Sequence, residues 1–216
     1  MILLAIETST PIYSVALSTP DTTIVRTTTR TDPDYDGIAG LVESVLRDAG
    51  VVPSALAGIV VDRGPGNLIS VRAGLTFASG LAYAAGVPIH AANSLEILAQ
   101  EAIRTDGAAF PILATRAARK QSSDLIYAGL FDAQGTRKLA LGKIGDIAQE
   151  VRDSCTDLRV AGTHRDIVEL QGLSVTYTGA EHPTAQALLD LMATGRLPVQ
   201  TQGISPLTEE SEEFRV

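Results

Sequence analysis

Apolar positions divide the chain into strands and helices that fall into two groups. Ile2-Leu3-Leu4-Ala5-Ile6-Glu7-Thr8, whose apolar run Ile2 to Ile6 is stopped by Glu7, reads as a buried strand; Tyr13 to Ser18 reads as its hairpin partner and Thr23 to Arg30 as a third strand. Asp36 is placed to cap a helix over Gly37 to Ala49, whose stripe is Ile38, Leu41, Val42, Val45 and Leu46 and which Gly50 ends. Ala57 to Val61 is a further strand that runs into Asp62-Arg63-Gly64-Pro65-Gly66-Asn67 and a helix over Ile69 to Ala85. Val87 to Ala91 follows as a short strand, and Asn93, three residues before Glu96, resembles a capping box for a helix ending near Arg104. Strands followed by alternating helices and strands predict an α/β lobe over residues 1–105.

Past Thr105-Asp106-Gly107 the strand pattern restarts at Phe110 to Ala114, Leu125 to Phe131 and Thr136 to Leu141. Helices near Asp146 to Ser154, Asp166 to Leu170 and Thr184 to Thr194 then alternate with strands at Leu158 to Ala161 and Val175 to Thr178. Residues 106–216 are expected to make a smaller C-terminal α/β lobe. Its tail from Pro198, with Glu209-Glu210-Ser211-Glu212-Glu213, has little apolar material and is expected to be partly disordered or ordered only against a partner.

The helix after the Gly-Pro-Gly loop is unusual in its small residues. Leu68, Val71, Leu75, Ala78 and Ala82 share one face, while Ala73, Gly74, Gly80, Ala84 and Ala85 leave much of the remainder nearly free of side chain. Each glycine costs about 1 kcal/mol against alanine within a helix, so a close neighbour is expected there, from this chain or from a partner subunit. The loop has two readings. Gly64 and Gly66 around Pro65 could present amides to a phosphate, or form a strand-to-helix turn that binds nothing. No P-loop lysine follows, which excludes a Walker motif.

With 45% hydrophobic residues in 216, the chain can bury a sizeable core. A net charge of −8 argues against a protein that grips nucleic acid by itself, so any tRNA contact would be indirect. The single Cys155 excludes an internal disulfide and fits a reducing compartment. Ile2 to Ile6 is too short for a membrane span or signal core, and the expectation is a cytoplasmic protein.

A strand ending in Ile6-Glu7-Thr8-Ser9-Thr10 and returning as Tyr13 to Leu17 resembles the first phosphate hairpin of the actin-like ATPase clan. Arg63-Gly64-Pro65-Gly66, Arg72 six residues on, and Gly80-Leu81-Ala82 are similar to the signature of the TsaB (YeaZ) family, the non-catalytic partner of TsaD in tRNA threonylcarbamoyladenosine biosynthesis. The resemblance covers roughly residues 1–100. It implies a two-lobed actin-like ATPase (ribonuclease H-like) fold with mixed sheets flanked by helices. It also implies a role as scaffold and activator, docking on a TsaD-like catalytic subunit together with a TsaE-like ATPase, with a homodimer available through the same helical face. Carried over, the partner interface comprises Leu41, Val45, Arg72, Ala73, Gly74, Phe77, Gly80 and Ala84. The loops Glu7, Thr8, Ser9 and Arg63, Gly64, Pro65, Gly66, Asn67 are the candidate phosphate contacts. No catalytic residue, metal or cofactor is implied.

Several residues bear on whether the chain could be a catalyst. Aligned on Val87-Pro88-Ile89-His90, the two histidine ligands of the catalytic relative fall on Ala91 and Leu95, which cannot bind a metal. His90, His164 and His182 lack a second ligand at helical spacing and read as structural or exposed. Thr115 stands where family members carry the acid of a second hairpin, Asp62 replaces a common glycine, and Ser70 replaces another. No local Ser-His or Cys-His pattern supports hydrolysis. The rival readings are a small-molecule kinase or ATPase using Glu7 and the Gly64 to Gly66 loop, and a diverged homodimeric interaction module.

Overall fold

Two five-stranded sheets of identical strand order build the computed structural model, which describes residues 1–119, 122–163 and 174–214. The first has β1 (Leu3–Glu7), β2 (Ile12–Ser18), β3 (Thr23–Thr29), β4 (Gly58–Asp62) and β5 (Ile89–Ala92) in the order β3-β2-β1-β4-β5. The second has β6 (Ile112–Arg119), β7 (Ser122–Asp132), β8 (Gly135–Lys143), β9 (Asp157–Gly162) and β10 (Ser174–Tyr177) in the order β10-β9-β6-β7-β8. In each, the first three strands form an antiparallel meander and the last two add in parallel. These mixed sheets flanked by helices are the two-lobed architecture expected from the sequence.

Strand periodicity sends alternate residues to opposite faces. Leu4, Ile6, Val15, Leu17, Ile59 and Val61 pack with α1 (Ile38–Ala49) and α2 (Leu68–Ala85). Leu3, Ala5, Ala16 and Val60 face the other way, onto α5 (Ala185–Ala193), through Leu188, Leu189 and Leu191. In the second sheet Ile112, Ala114, Tyr127 and Phe131 pack with α3 (Ser94–Asp106), while Leu113, Ile126, Leu158 and Val160 pack with α4 (Ile144–Ser154). The helix that precedes the second sheet therefore covers that sheet, and the helix that follows it returns to the first. Residue 105 separates the sheets but not the helices that close them. α2 is long and apolar enough by composition to cross a membrane, yet its Val71, Leu75, Ala78 and Ala82 are buried in the first lobe's core.

Some local expectations change. Asp36 does not cap α1; Gly37, with φ 102°, is the N-cap and bonds no first-turn amide through a side chain, while the Asp36 carboxyl lies against the side-chain-free Gly40. β5 starts at Ile89 rather than Val87, because the Val87 amide closes the end of α2 on Ala82 O at 3.0 Å. β6 starts at Ile112, after Pro111. The tail is docked rather than without order: Leu207 and Phe214 are buried, Leu207 N donates to Arg63 O at 2.7 Å, and the Phe214 ring lies 4.9 Å from that of Tyr127. Two anchors in so polar a segment gave no periodic signal. The helix expected near Asp166 to Leu170, and His164, lie outside the described residues.

Candidate functional site

Strand β1 delivers Glu7, Thr8 and Ser9 to the end of the first sheet, and parallel β4 delivers Asp62, Arg63 and Gly64 beside them. Ile6 is registered against Val61, so the next residues on each strand, Glu7 and Asp62, are lateral neighbours. Both are wholly buried. Glu7 Oε1 accepts from Ser9 N and Ser9 Oγ, each at 2.6 Å, while Oε2 has no hydrogen-bond partner among the described residues. Asp62 accepts from Gly64 N at 2.7 Å and from Ser94 Oγ at 2.7 and 2.8 Å. Burial, then the neighbouring Asp62 charge, pushes the Glu7 carboxyl well above the ordinary carboxylate range; burial also raises Asp62, against the pull of its hydrogen bonds.

Arg116 crosses to this corner from β6. Its Nη1 donates to Ser9 Oγ at 2.8 Å and Pro65 O at 2.9 Å, and its Nη2 to Ser9 O at 3.0 Å. Burial lowers its pKa, opposed by Asp62 and Glu7.

Ligand chemistry at the loop is limited by what its groups already hold. Gly64 adopts φ 91°, and a side chain on Gly66 would come closer than 3.0 Å to Ser9 O, so the two loops touch through backbone. Ser9 N is bonded to Glu7, Gly64 N to Asp62 and Asn67 N to Ser9 O at 2.9 Å. The loops offer carbonyls to Arg116 where a phosphate cradle would offer amides. Asn67 caps α2, its Oδ1 accepting from Ser70 N at 3.2 Å. Ser70 has a use for its hydroxyl, which accepts from Tyr13 Oη at 2.5 Å and donates to Asn67 Oδ1 at 3.2 Å. Arg63 is turned to the tail, with Nε on Ser205 O at 3.2 Å and Nη2 on Glu213 at 3.0 Å. Thr115 is buried and donates to Ala161 O at 3.3 Å. His90 is buried with Nδ1 at 2.9 Å from Leu197 O.

The outer face of α2 is the second candidate region. Arg72, Ala73, Gly80 and Ala84 are exposed there, Phe77 and Leu41 are half-buried, and Val45 and Gly74 lie in the core. Gly74 is small because Thr8 fills the space above it, whereas Gly80 faces open space. Ile69, 75% exposed, and Tyr83, 92% exposed, stand about four turns apart on the same side and frame the small residues. Sequence reasoning missed both, although each is a large apolar residue off the core stripe. It also gave no role to Arg116 or Ser94, whose signal, an arginine within a strand and a serine beside a cap, has meaning only once the two sheets are brought together.

The chain matches the family model for TsaD, tRNA N6-adenosine threonylcarbamoyltransferase, over residues 36–187. It is 36% identical over 132 residues to the tRNA threonylcarbamoyladenosine biosynthesis protein TsaB of Bacillus subtilis, an alignment covering 61% of this chain and 55% of that protein. The chain spans about half the length of the curated TsaB relatives it matches. Among solved structures, a Pseudomonas aeruginosa protein described as similar to peptidase YeaZ superposes with a TM-score of 0.79 at 30% identity, over 95% of this chain and 98% of that one. YeaZ from Pseudomonas aeruginosa gives 0.76 at 29% identity over the same shares.

Proposed function

Because the chain belongs to the TsaB (YeaZ) family, which shares its domain with the TsaD threonylcarbamoyltransferases, we propose that it serves tRNA threonylcarbamoyladenosine biosynthesis as an accessory subunit, docking on a TsaD-like enzyme and activating it without chemistry of its own. The observation that carries this reading is the outer face of α2. Ala73, Gly80 and Ala84 leave the helix backbone approachable, and the exposed Ile69 and Tyr83 supply apolar area on either side. A partner helix can approach such a surface closely and bury it whole. Two sets of residues favour an accessory role: Ala91 and Leu95 offer no metal ligand, and the loop amides of Ser9, Gly64 and Asn67 are bonded within the chain. A TsaE-like ATPase would join the same assembly, tRNA would be met through the complex, and a homodimer on this face would compete with it.

The test is threonylcarbamoyl transfer to tRNA by the cognate TsaD-like and TsaE-like proteins, supplied with threonylcarbamoyl adenylate, with and without this chain. Product that depends on the chain, and that falls with Gly80→Leu while the fold is kept, is the expected result. Equal product without the chain overturns the proposal.

A further inference from the structure

The corner where the lobes meet is built as a receptor for a cation. Ser9 O, Pro65 O and Ser9 Oγ accept from one guanidinium at 2.8 to 3.0 Å. Behind them stand the two wholly buried acids, Glu7 and Asp62, from adjacent parallel strands. The acceptors all belong to the first lobe, and the guanidinium belongs to the second. A planar fork of donors matches carbonyls set side by side, which a point-like ammonium cannot do as well.

We propose that this corner is a guanidinium socket filled in cis: Arg116 occupies a first-lobe site whose ligand chemistry is a planar monocation, and its seating fixes the two lobes to each other. One cation calls for one negative charge, since a second buried carboxylate would stand uncompensated. Glu7 is the member that holds the proton. Its Oε2 has no hydrogen-bond partner among the described residues, whereas Asp62 receives the Gly64 amide and the Ser94 hydroxyl. The upward push of burial on Glu7 acts in the same direction.

The test compares thermal unfolding of the full chain and its Arg116→Ala, Arg116→Lys, Glu7→Gln and Asp62→Asn variants. Arg116→Ala, Arg116→Lys and Asp62→Asn are each expected to melt at least about 5 °C lower, and Glu7→Gln within about 2 °C of the parent. Millimolar methylguanidinium is expected to raise the melting temperature of Arg116→Ala and leave the parent unmoved, while methylammonium raises neither. Should Arg116→Ala not fold, recovery on refolding in methylguanidinium supports the socket and failure to recover overturns it. Arg116→Lys melting with the parent, or Glu7→Gln falling as far as Asp62→Asn, also overturns it.

Discussion

Gly74 and Gly80 look alike in the sequence of α2, yet alanine at the two positions is expected to act with opposite sign. At Gly80 a Cβ meets open space, so the change adds helix propensity, about 1 kcal/mol of stabilisation. At Gly74 the Cβ would lie closer than 3.0 Å to Thr8 Oγ1 and 3.4 Å from Thr8 Cβ and Cγ2. Thr8 Oγ1 is fixed there by a buried hydrogen bond to Ser70 O at 2.9 Å. Turning it away leaves a buried hydroxyl unpaired, and holding it forces the backbone to move; either costs about 2–4 kcal/mol. After subtracting the propensity gain, Gly74→Ala loses about 1–3 kcal/mol. In a chain of this size that is a melting temperature roughly 3–10 °C lower, against about 2–4 °C higher for Gly80→Ala. Thermal unfolding followed by circular dichroism reads both. A Thr8→Ala background removes Oγ1 and Cγ2, leaving the 3.4 Å contact, so there Gly74→Ala should cost little. Equal loss in both backgrounds, or none in the parent, would refute the steric account.

The raised carboxyl of Glu7 fixes the sign of a pH effect. The folded state keeps a proton that the unfolded chain releases near pH 4, so its stabilisation is full below that value and is lost as pH rises through the folded pKa. The slope reaches about 1.4 kcal/mol per pH unit for each proton, and urea unfolding at a series of pH values should show it flattened by Glu7→Gln. Asn67→Ala removes the acceptor for the Ser70 amide and is expected to cost about 1 kcal/mol in the same unfolding assay. Phe214→Ala empties the tail's contact with Tyr127, a loss of about 3 kcal/mol, and should speed proteolysis of the tail on the order of 100-fold. An unchanged cleavage rate would mean that the tail is held elsewhere.

What was legible in the sequence was local. Among the described residues each strand and helix had a local signal, an apolar run, an alternation or a helical stripe, and Asn93 caps α3 as its spacing to Glu96 suggested. Exchange of helices between the sheets was not legible, because α3 and α5 are apolar enough to cover either sheet. Nor could spacing tell the core glycine from the surface one: Gly74 owes its size to Thr8, 66 positions earlier in the chain. The loop's composition suggested a place for an anion. The observed acceptors and Arg116 reflect where the amides point, which depends on Glu7 and Asp62 binding them first.

The return of α5 to the first sheet also sets an order of events during translation. One face of that sheet, with Leu3, Ala5, Ala16 and Val60, meets Ile97 of α3 early but gains the rest of its cover only when residues 185–193 have been made, about 100 residues after β5 is complete. At elongation rates on the order of 5–20 residues per second, the nascent chain carries that apolar face only partly covered for roughly 5–20 s. A ribosome stalled within the second sheet would therefore hold a chain with an open hydrophobic layer, the kind of surface that chaperones engage.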